Sequence, residues 1–416
     1  MNILDEKFNL FVIIIVILNI IALVNGETLL FDGSDYILNI IQKKSIIENH
    51  DLRNLAFFLY QFPSYVYVKF IDKDIRIITF LFELSHTFIP LFLLLISRII
   101  NKEFSSYHLF LYFVIAGFSS LLRVSELNLA IHFSMIALSC FMLDKQNSNV
   151  VLGCILILMS SLCYPFIILL IPLFIALPIL NKTYSFKSKM YILFLLFLIA
   201  VFIFQHFSII SYIQNYVESS ENFFNAIFST FYFKYYSLVL IYIIAFYIFK
   251  KNIKISIFLL LSIICNLLFM NFRIYFHFAG RSLTLVMAII TIYFSILIYT
   301  QKKTLNYFIF NLMIIFCSMS LIASFSFNSE KNKFIKYLSQ NKGVVDRNKA
   351  VKEFKPILYF SSDHALFIYS VLIQDKVESV VNNFIPYSDN EIKKKLKTLI
   401  DSGVKINEKN FSRYLD

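Results

Sequence analysis

Apolar residues run along this chain in blocks of 16 to 22, interrupted by short polar stretches that are mostly basic. The hydrocarbon core of a bilayer takes about 20 apolar residues of α-helix to cross. On that measure the pattern predicts helices near 8–25, 77–98, 106–122, 127–143, 149–163, 166–181, 190–207, 236–249, 254–271, 282–300 and 305–326. The stretch 149–181 is too long for one span, and Pro165 in "SLCYPF" divides it into a hairpin of two short helices. The expected fold class is an all-α polytopic membrane protein with about eleven transmembrane helices.

Basic residues then orient the chain. With the N-terminus inside, each inner loop is basic: Arg98 and Lys102, Lys145, Lys182 with Lys187 and Lys189, Lys250 with Lys251 and Lys254, and Lys302 with Lys303. The first run is read as a retained anchor because "MNILDEK" lacks the positive n-region of a signal peptide, although cleavage after Gly26 would suit the small-residue rule. Three longer segments fall outside: 26–75, 208–235 and the tail from 328. Residues 36–50 space their isoleucines helically among Lys43, Lys44 and Glu48, and "LRNLAFFLYQFPSYVYVKF" follows. Both suit helices lying along the interface. The tail mixes strand-like "KPILYF" and "VESVV" with helix-like "HALFIYSVLI" and "NEIKKKLKTLIDSG", the last ending at Gly403, which predicts a small extracytoplasmic α/β domain. The expected parts are a module over 1–145, variable membrane helices over 146–327 and the tail domain over 328–416.

Composition sharpens this only a little. The 416 residues are 59% hydrophobic and 15% charged, as a membrane class requires. A net charge of +12 would suggest nucleic acid in a soluble chain, but here it concentrates in loops between apolar runs, so orientation accounts for it and no nucleic acid partner is expected. There is no Trp, and any interfacial belt must come from the 25 Tyr and 49 Phe. The five cysteines sit in apolar runs with no CxxC or Cys/His spacing, which argues against structural zinc and against a disulfide framework.

The candidate chemistry begins in "FDGSDY". Asp32 and Asp35 precede the first interfacial helix; capping its free N–H groups accounts for one aspartate better than for two. A second acidic motif follows in "SSLLRVSELNLA", where Arg123 and Glu126 stand three apart between the third and fourth helices, on the same side as Asp35. Alone this would be an ordinary helix-end ion pair.

An acidic motif after the first helix, two interfacial helices and a second acidic motif resemble the arrangement of the GT-C superfamily of membrane glycosyltransferases, over about residues 1–145. The resemblance implies transfer of a sugar from a polyprenyl-phosphate donor to a glycan or lipid acceptor on the extracytoplasmic face. It implies Asp35 or Asp32 as catalytic base and Glu126 as the assisting acid. Adjacent acidic pairs found in some members are missing, so the identity of the base and the use of a divalent metal ion both stay open. The implied setting is the inner (plasma) membrane of a bacterial cell envelope, with a cytoplasmic N-terminus.

Such a transfer needs cations around the departing phosphate. Arg123 is one candidate; Arg273, His277 and Arg281, spaced by four in "NFRIYFHFAGRS", are the others, with snorkelling to headgroups as the plain alternative. Glu83 and His86 share one face of the second helix in "LFELSHTF", where they line a substrate cavity or pair with each other. His132 reads as a packing histidine. Two other functions compete. A lipid-linked polysaccharide polymerase would place arginines in a large outer loop, yet 208–235 has none; a transporter or flippase for lipid-linked glycans would show an internal repeat, and none is visible.

Overall fold

The computed structural model describes residues 6–29, 33–46, 54–102, 104–118, 126–141, 147–164, 304–353, 365–382 and 386–415, together with 197 and 200. Among these the chain is overwhelmingly helical. In order come α1 (Phe8–Asn25), a short 3-10 turn (Glu27–Leu29), α2 (Gly33–Lys43), α3 (Asn54–Phe70), α4 (Ile75–Ile100), α5 (Ser105–Phe118), α6 (Glu126–Phe141) and α7 (Asn147–Cys163). After the intervening residues follow α8 (Thr304–Gln340), β1 (Gly343–Val345), α9 (Arg347–Glu353), α10 (Ala365–Leu372), β2 (Ser379–Val381), α11 (Asp389–Asp401) and α12 (Ser412–Leu415).

The expectation of eleven membrane spans is corrected. Among the described residues two helices, α1 and α4, are long and apolar enough to cross a membrane. Within the described residues the run expected at 106–122 contributes 14 helical residues, α5, and the apolar helices α6 and α7 contribute 16 and 17. At about 1.5 Å per residue these described stretches fall short of a 30 Å hydrocarbon core. Apolarity reports exclusion from water, and a buried protein core satisfies it as well as lipid does. The runs expected at 166–181, 190–207, 236–249, 254–271 and 282–300 lie outside the described residues. The run at 305–326 is the first part of the 37-residue helix α8. Two spanning-length helices associate the chain with a membrane at that coarse level; a signal sequence near the N-terminus or a buried core helix meets the same two criteria.

The chain divides into two compact units that interleave in sequence: residues 9–93, 123–129 and 318–416 form one, and residues 1–8, 94–122 and 130–317 form the other. The first unit therefore draws the tail together with the segment expected to be the first outer loop. In it α2 packs on α3 and α10. Its apolar face, Tyr36, Ile37, Leu38, Ile40 and Ile41, is buried in protein rather than presented to a lipid surface, while Lys43 and Lys44 stay exposed. The expected interfacial helix is thus a core helix, because amphipathicity alone does not say what covers the apolar face.

The tail holds a two-stranded parallel sheet with Gly343, Val344 and Val345 opposite Ser379, Val380 and Val381. "VESVV" does supply β2, "HALFIYSVLI" supplies α10 and "NEIKKKLKTLID" supplies α11; "KPILYF" lies outside the described residues. A capping box opens α11: Glu391 N–H donates to Ser388 Oγ at 3.4 Å while Glu391 Oε2 accepts from Ser388 N–H at 2.9 Å. Gly403, with φ +84°, ends it in the left-handed conformation that glycine adopts without strain. The tail is fastened to the rest of its unit: Ile75 N–H donates to the Ser402 carbonyl at 3.1 Å, and Ser379 Oγ to the Leu338 carbonyl at 2.7 Å.

The second unit is tied by small hydroxyls between apolar helices. Ser97 and Ser139 share a hydrogen bond of 2.9 Å, Ser134 and Ser160 one of 2.8 Å, and Ser160 also donates to the Ala130 carbonyl at 2.6 Å. Such bonds supply specificity where apolar packing alone would leave helices free to slide. His132 bonds with His108, at 2.7 Å between ring nitrogens, and both rings are fully buried.

Candidate functional site

The geometry of the first unit starts from Gly33. A Cβ at this position would collide with the Thr28 carbonyl oxygen, so only glycine lets the first turn of α2 lie this close to the 3-10 turn. Asp35 stands in that first turn, and its neighbour Tyr36 points into the protein, its ring centroid 5.4 Å from Phe57 and 6.4 Å from Phe82.

Tyr36, Phe57, Tyr60, Gln61, Phe82, His86 and Glu126 line a small cavity of about 10 Å³, room for roughly one water molecule. Four helices build it: α2 brings Tyr36, α3 brings Phe57, Tyr60 and Gln61, α4 brings Phe82 and His86, and Glu126 enters as the first residue of α6. His86 lies flat on Tyr60, with ring centroids 3.9 Å apart, and its Nδ1 is 2.9 Å from the Phe82 carbonyl, a bond that fixes the Nδ1–H tautomer and leaves Nε2 as acceptor. Glu126 is 4% exposed and within electrostatic reach of His86. A buried carboxylate, an oriented imidazole and a carboxamide around one cavity can hold and move a proton at a bound hydroxyl.

One turn of α4 also serves a second polar cluster. Glu83 does not pair with His86; its Oε1 faces Gly26, where a Cβ would lie 3.5 Å away. Glu27 on the 3-10 turn and Lys331 on α8 are within electrostatic reach of it. Lys331 Nζ donates to the Asn25 carbonyl at 2.7 Å, and Asn25 Nδ2 donates to the Ser324 carbonyl at 3.2 Å and to Glu27 Oε1 at 3.5 Å. Burial lowers the Lys331 ammonium below its usual range, and the Glu83 and Glu27 carboxylates oppose that shift. Burial pushes the phenol of Tyr369, on α10 in the tail, far above its usual value, and the Glu83 carboxylate adds to that shift through its charge. The Thr28 hydroxyl stands beside the Glu83 carboxylate without completing a hydrogen bond of good geometry.

Of the residues singled out in the sequence, Glu126 and His86 share the cavity, Glu83 belongs to the adjoining cluster, and Asp35 sits in the first turn of α2 next to cavity-lining Tyr36. Asp32, Arg123, Arg273, His277 and Arg281 lie outside the described residues. Gln61, Glu27, Lys331 and Tyr369 were missed. Glu27 stands beside the end of an apolar run and could have been read as a boundary carboxylate. Lys331 and Tyr369 gave no signal, since their partners are about 250 to 340 residues away in sequence. Among the described residues no group of three or more His, Cys, Asp or Glu is placed to hold a metal ion. Comparison finds no protein-family model that matches the chain, no curated protein similar to it and no solved structure similar to it.

Proposed function

We propose that the chain is a membrane enzyme that transfers a sugar from a polyprenyl-phosphate donor to a glycan or lipid acceptor. The reading no longer rests on a helix count. Its support is one observation: Glu126 and Tyr36, the neighbour of Asp35, come from the two acidic motifs and line the same cavity together with His86. Two acidic stretches about 90 residues apart in sequence have no need to meet if each only caps a helix.

In this reading Asp35 takes the proton of the acceptor hydroxyl, and Glu126, oriented through His86, holds the acceptor or the sugar in line. The departing phosphate goes to arginine, with Arg123 nearest in sequence to Glu126 and Arg281, Arg273 and His277 as further contacts. The cavity is too small for a sugar as it stands, so substrate entry requires the Tyr60 and Tyr36 rings to give way. The proposed setting is a bacterial inner membrane, with the N-terminus in the cytoplasm and the tail outside.

The test uses purified protein in detergent with undecaprenyl-phosphate-linked hexoses and follows release of undecaprenyl phosphate. Wild type should release it, and Asp35→Asn and Glu126→Gln should each lower the rate by roughly 10²-fold or more while still binding the donor. Release at wild-type rates in both variants would make these carboxylates structural. Absence of release and of binding for every donor would remove the glycosyltransferase reading.

A further inference from the structure

We propose that the turn between α3 and α4 anchors the chain in the headgroup layer of an anionic membrane, with Phe70 and Ile71 entering between lipids and Lys69, Lys73 and Arg76 meeting their phosphates. The inference rests on the membrane setting of the reading above and not on the transfer chemistry. The starting observation is a pair of large apolar side chains left in the open: Phe70 is 71% and Ile71 72% exposed, at the tip of the turn. Single exposed apolar residues are ordinary, but Phe58 and Phe62 on α3 and Ile77 and Phe80 on α4 are exposed as well, on the two helices that the turn joins.

The turn is held in place. Ser64 Oγ donates to the Ile78 carbonyl at 2.9 Å and fastens α3 to α4, while Ile75 N–H donates to the Ser402 carbonyl and fastens α4 to the tail. Asp72 Oδ1 accepts from Lys73 N–H at 2.7 Å and Asp74 Oδ1 from Arg76 N–H at 2.8 Å, so both carboxylates are turned to the backbone at the start of α4. Lys69, Lys73 and Arg76 are exposed, and among the described residues none of the three is in an ion pair. Lys69 Nζ donates to Tyr65 OH at 2.7 Å and lies over the Phe70 ring, 5.4 Å from its centre. A cation, a phenol and an apolar ring thus meet at one edge.

The level of the turn follows from α4. Its exposed apolar side chains, Ile77, Phe80, Phe92, Leu95 and Ile99, fall on one side of the helix at about 3.6 residues per turn, where a water-soluble helix would be polar. A span of roughly 20–22 residues counted back from Arg98 ends at Arg76 to Ile78. The turn that precedes α4 therefore stands at the headgroup layer, which is about 5–8 Å deep on each side of the hydrocarbon. The surface does not suit a protein partner, because the centre of a protein interface is poor in lysine. A free phosphate would leave Phe70 and Ile71 in water. A lipid surface takes both kinds of side chain at once: apolar tips point toward the acyl chains while lysine and arginine reach the phosphates.

The chain contains no tryptophan, so Phe70→Trp places a single fluorescent reporter at the tip, and Phe92→Trp, as a separate variant, places one on the exposed side of α4. The purified full chain is reconstituted in phosphatidylcholine vesicles that carry brominated phosphatidylglycerol or, in a matched set, brominated phosphatidylcholine. Both reporters should be quenched. At the tip brominated phosphatidylglycerol should quench more than brominated phosphatidylcholine, and adding Lys73→Gln with Arg76→Gln should lower that preference roughly fivefold or more. Ile71→Trp repeats the measurement should Phe70→Trp fold poorly. Quenching of Phe92→Trp without quenching of Phe70→Trp overturns the anchor and leaves the membrane setting standing; if aqueous acrylamide also fails to quench Phe70→Trp, a second copy of the chain covers the tip. No quenching in either variant removes the membrane setting and the anchor with it. Equal quenching of the tip by the two lipids, or a preference unmoved by the two charge substitutions, overturns the assignment to anionic headgroups.

Discussion

Lys331 is the single cation within reach of two buried carboxylates among the described residues of its cluster, and neutralising it should cost more than its partial exposure suggests. Glu27 and Glu83 are 1% and 5% exposed, so water cannot replace the ammonium when it is removed. The bond from Lys331 Nζ to the Asn25 carbonyl, 2.7 Å long, is charge-assisted, and such bonds contribute about 1.5–3 kcal/mol. Breaking a fully buried ion pair costs about 3–5 kcal/mol, and an exposed one about 1 kcal/mol or less. Lys331 is only partly buried, which places Lys331→Met at about 2–3 kcal/mol destabilised. The assay is a double-mutant cycle on thermal unfolding in detergent, with Glu27→Gln as second substitution. Removing one of two like charges should return part of the loss, so the double variant should be more stable than the sum of the singles by about 1 kcal/mol. Additive singles, or a Lys331→Met variant as stable as wild type, would refute the claim that this lysine compensates buried charge.

Three further substitutions or conditions test the local structure. Gly33→Ala should lower the melting temperature and disorder the start of α2, because its Cβ meets the Thr28 carbonyl oxygen, which is backbone and cannot step aside; a circular dichroism melt identical to wild type would contradict the close approach. Gly403→Ala has open space around its Cβ, so it isolates the cost of a left-handed φ of +84°, about 1–2 kcal/mol, read as a loss of amide protection in α11. The hydrogen bonds from Ser388 hold the Glu391 carboxyl below its usual range, so its contribution to α11 is complete above the usual glutamate pKa and is lost as pH falls through the lowered value; fraying of residues 389–391 followed by NMR should begin only in that acid range.

What the sequence disclosed and what it hid follow from the range of the forces involved. α10 and α11 were legible because their signals are local: an apolar octet bounded by turns, and a helical repeat opened by Ser388 and closed by Gly403. β1 was not, since three residues carry no periodicity and it exists through pairing with β2, 36 residues on. The membrane-span count failed on the same ground as the interfacial reading of α2. Both treated an apolar face as evidence of lipid, whereas Ile37, Ile40 and Ile41 are covered by protein. His86 was singled out because a titratable residue inside an apolar run is costly and so conspicuous in sequence, and Glu126 because it forms an acidic motif in the short turn between two apolar runs. Lys331 and Tyr369 were invisible for the converse reason: a lysine in a polar tail and a tyrosine in an apolar helix are each ordinary, and only the fold makes them the neighbours of Glu83. The tail therefore belongs to the argument about function. It supplies a cation and a phenol to a cluster whose carboxylates come from residues near the N-terminus, and a truncation ahead of Ser324 would remove both and leave Glu27 and Glu83 buried without compensation.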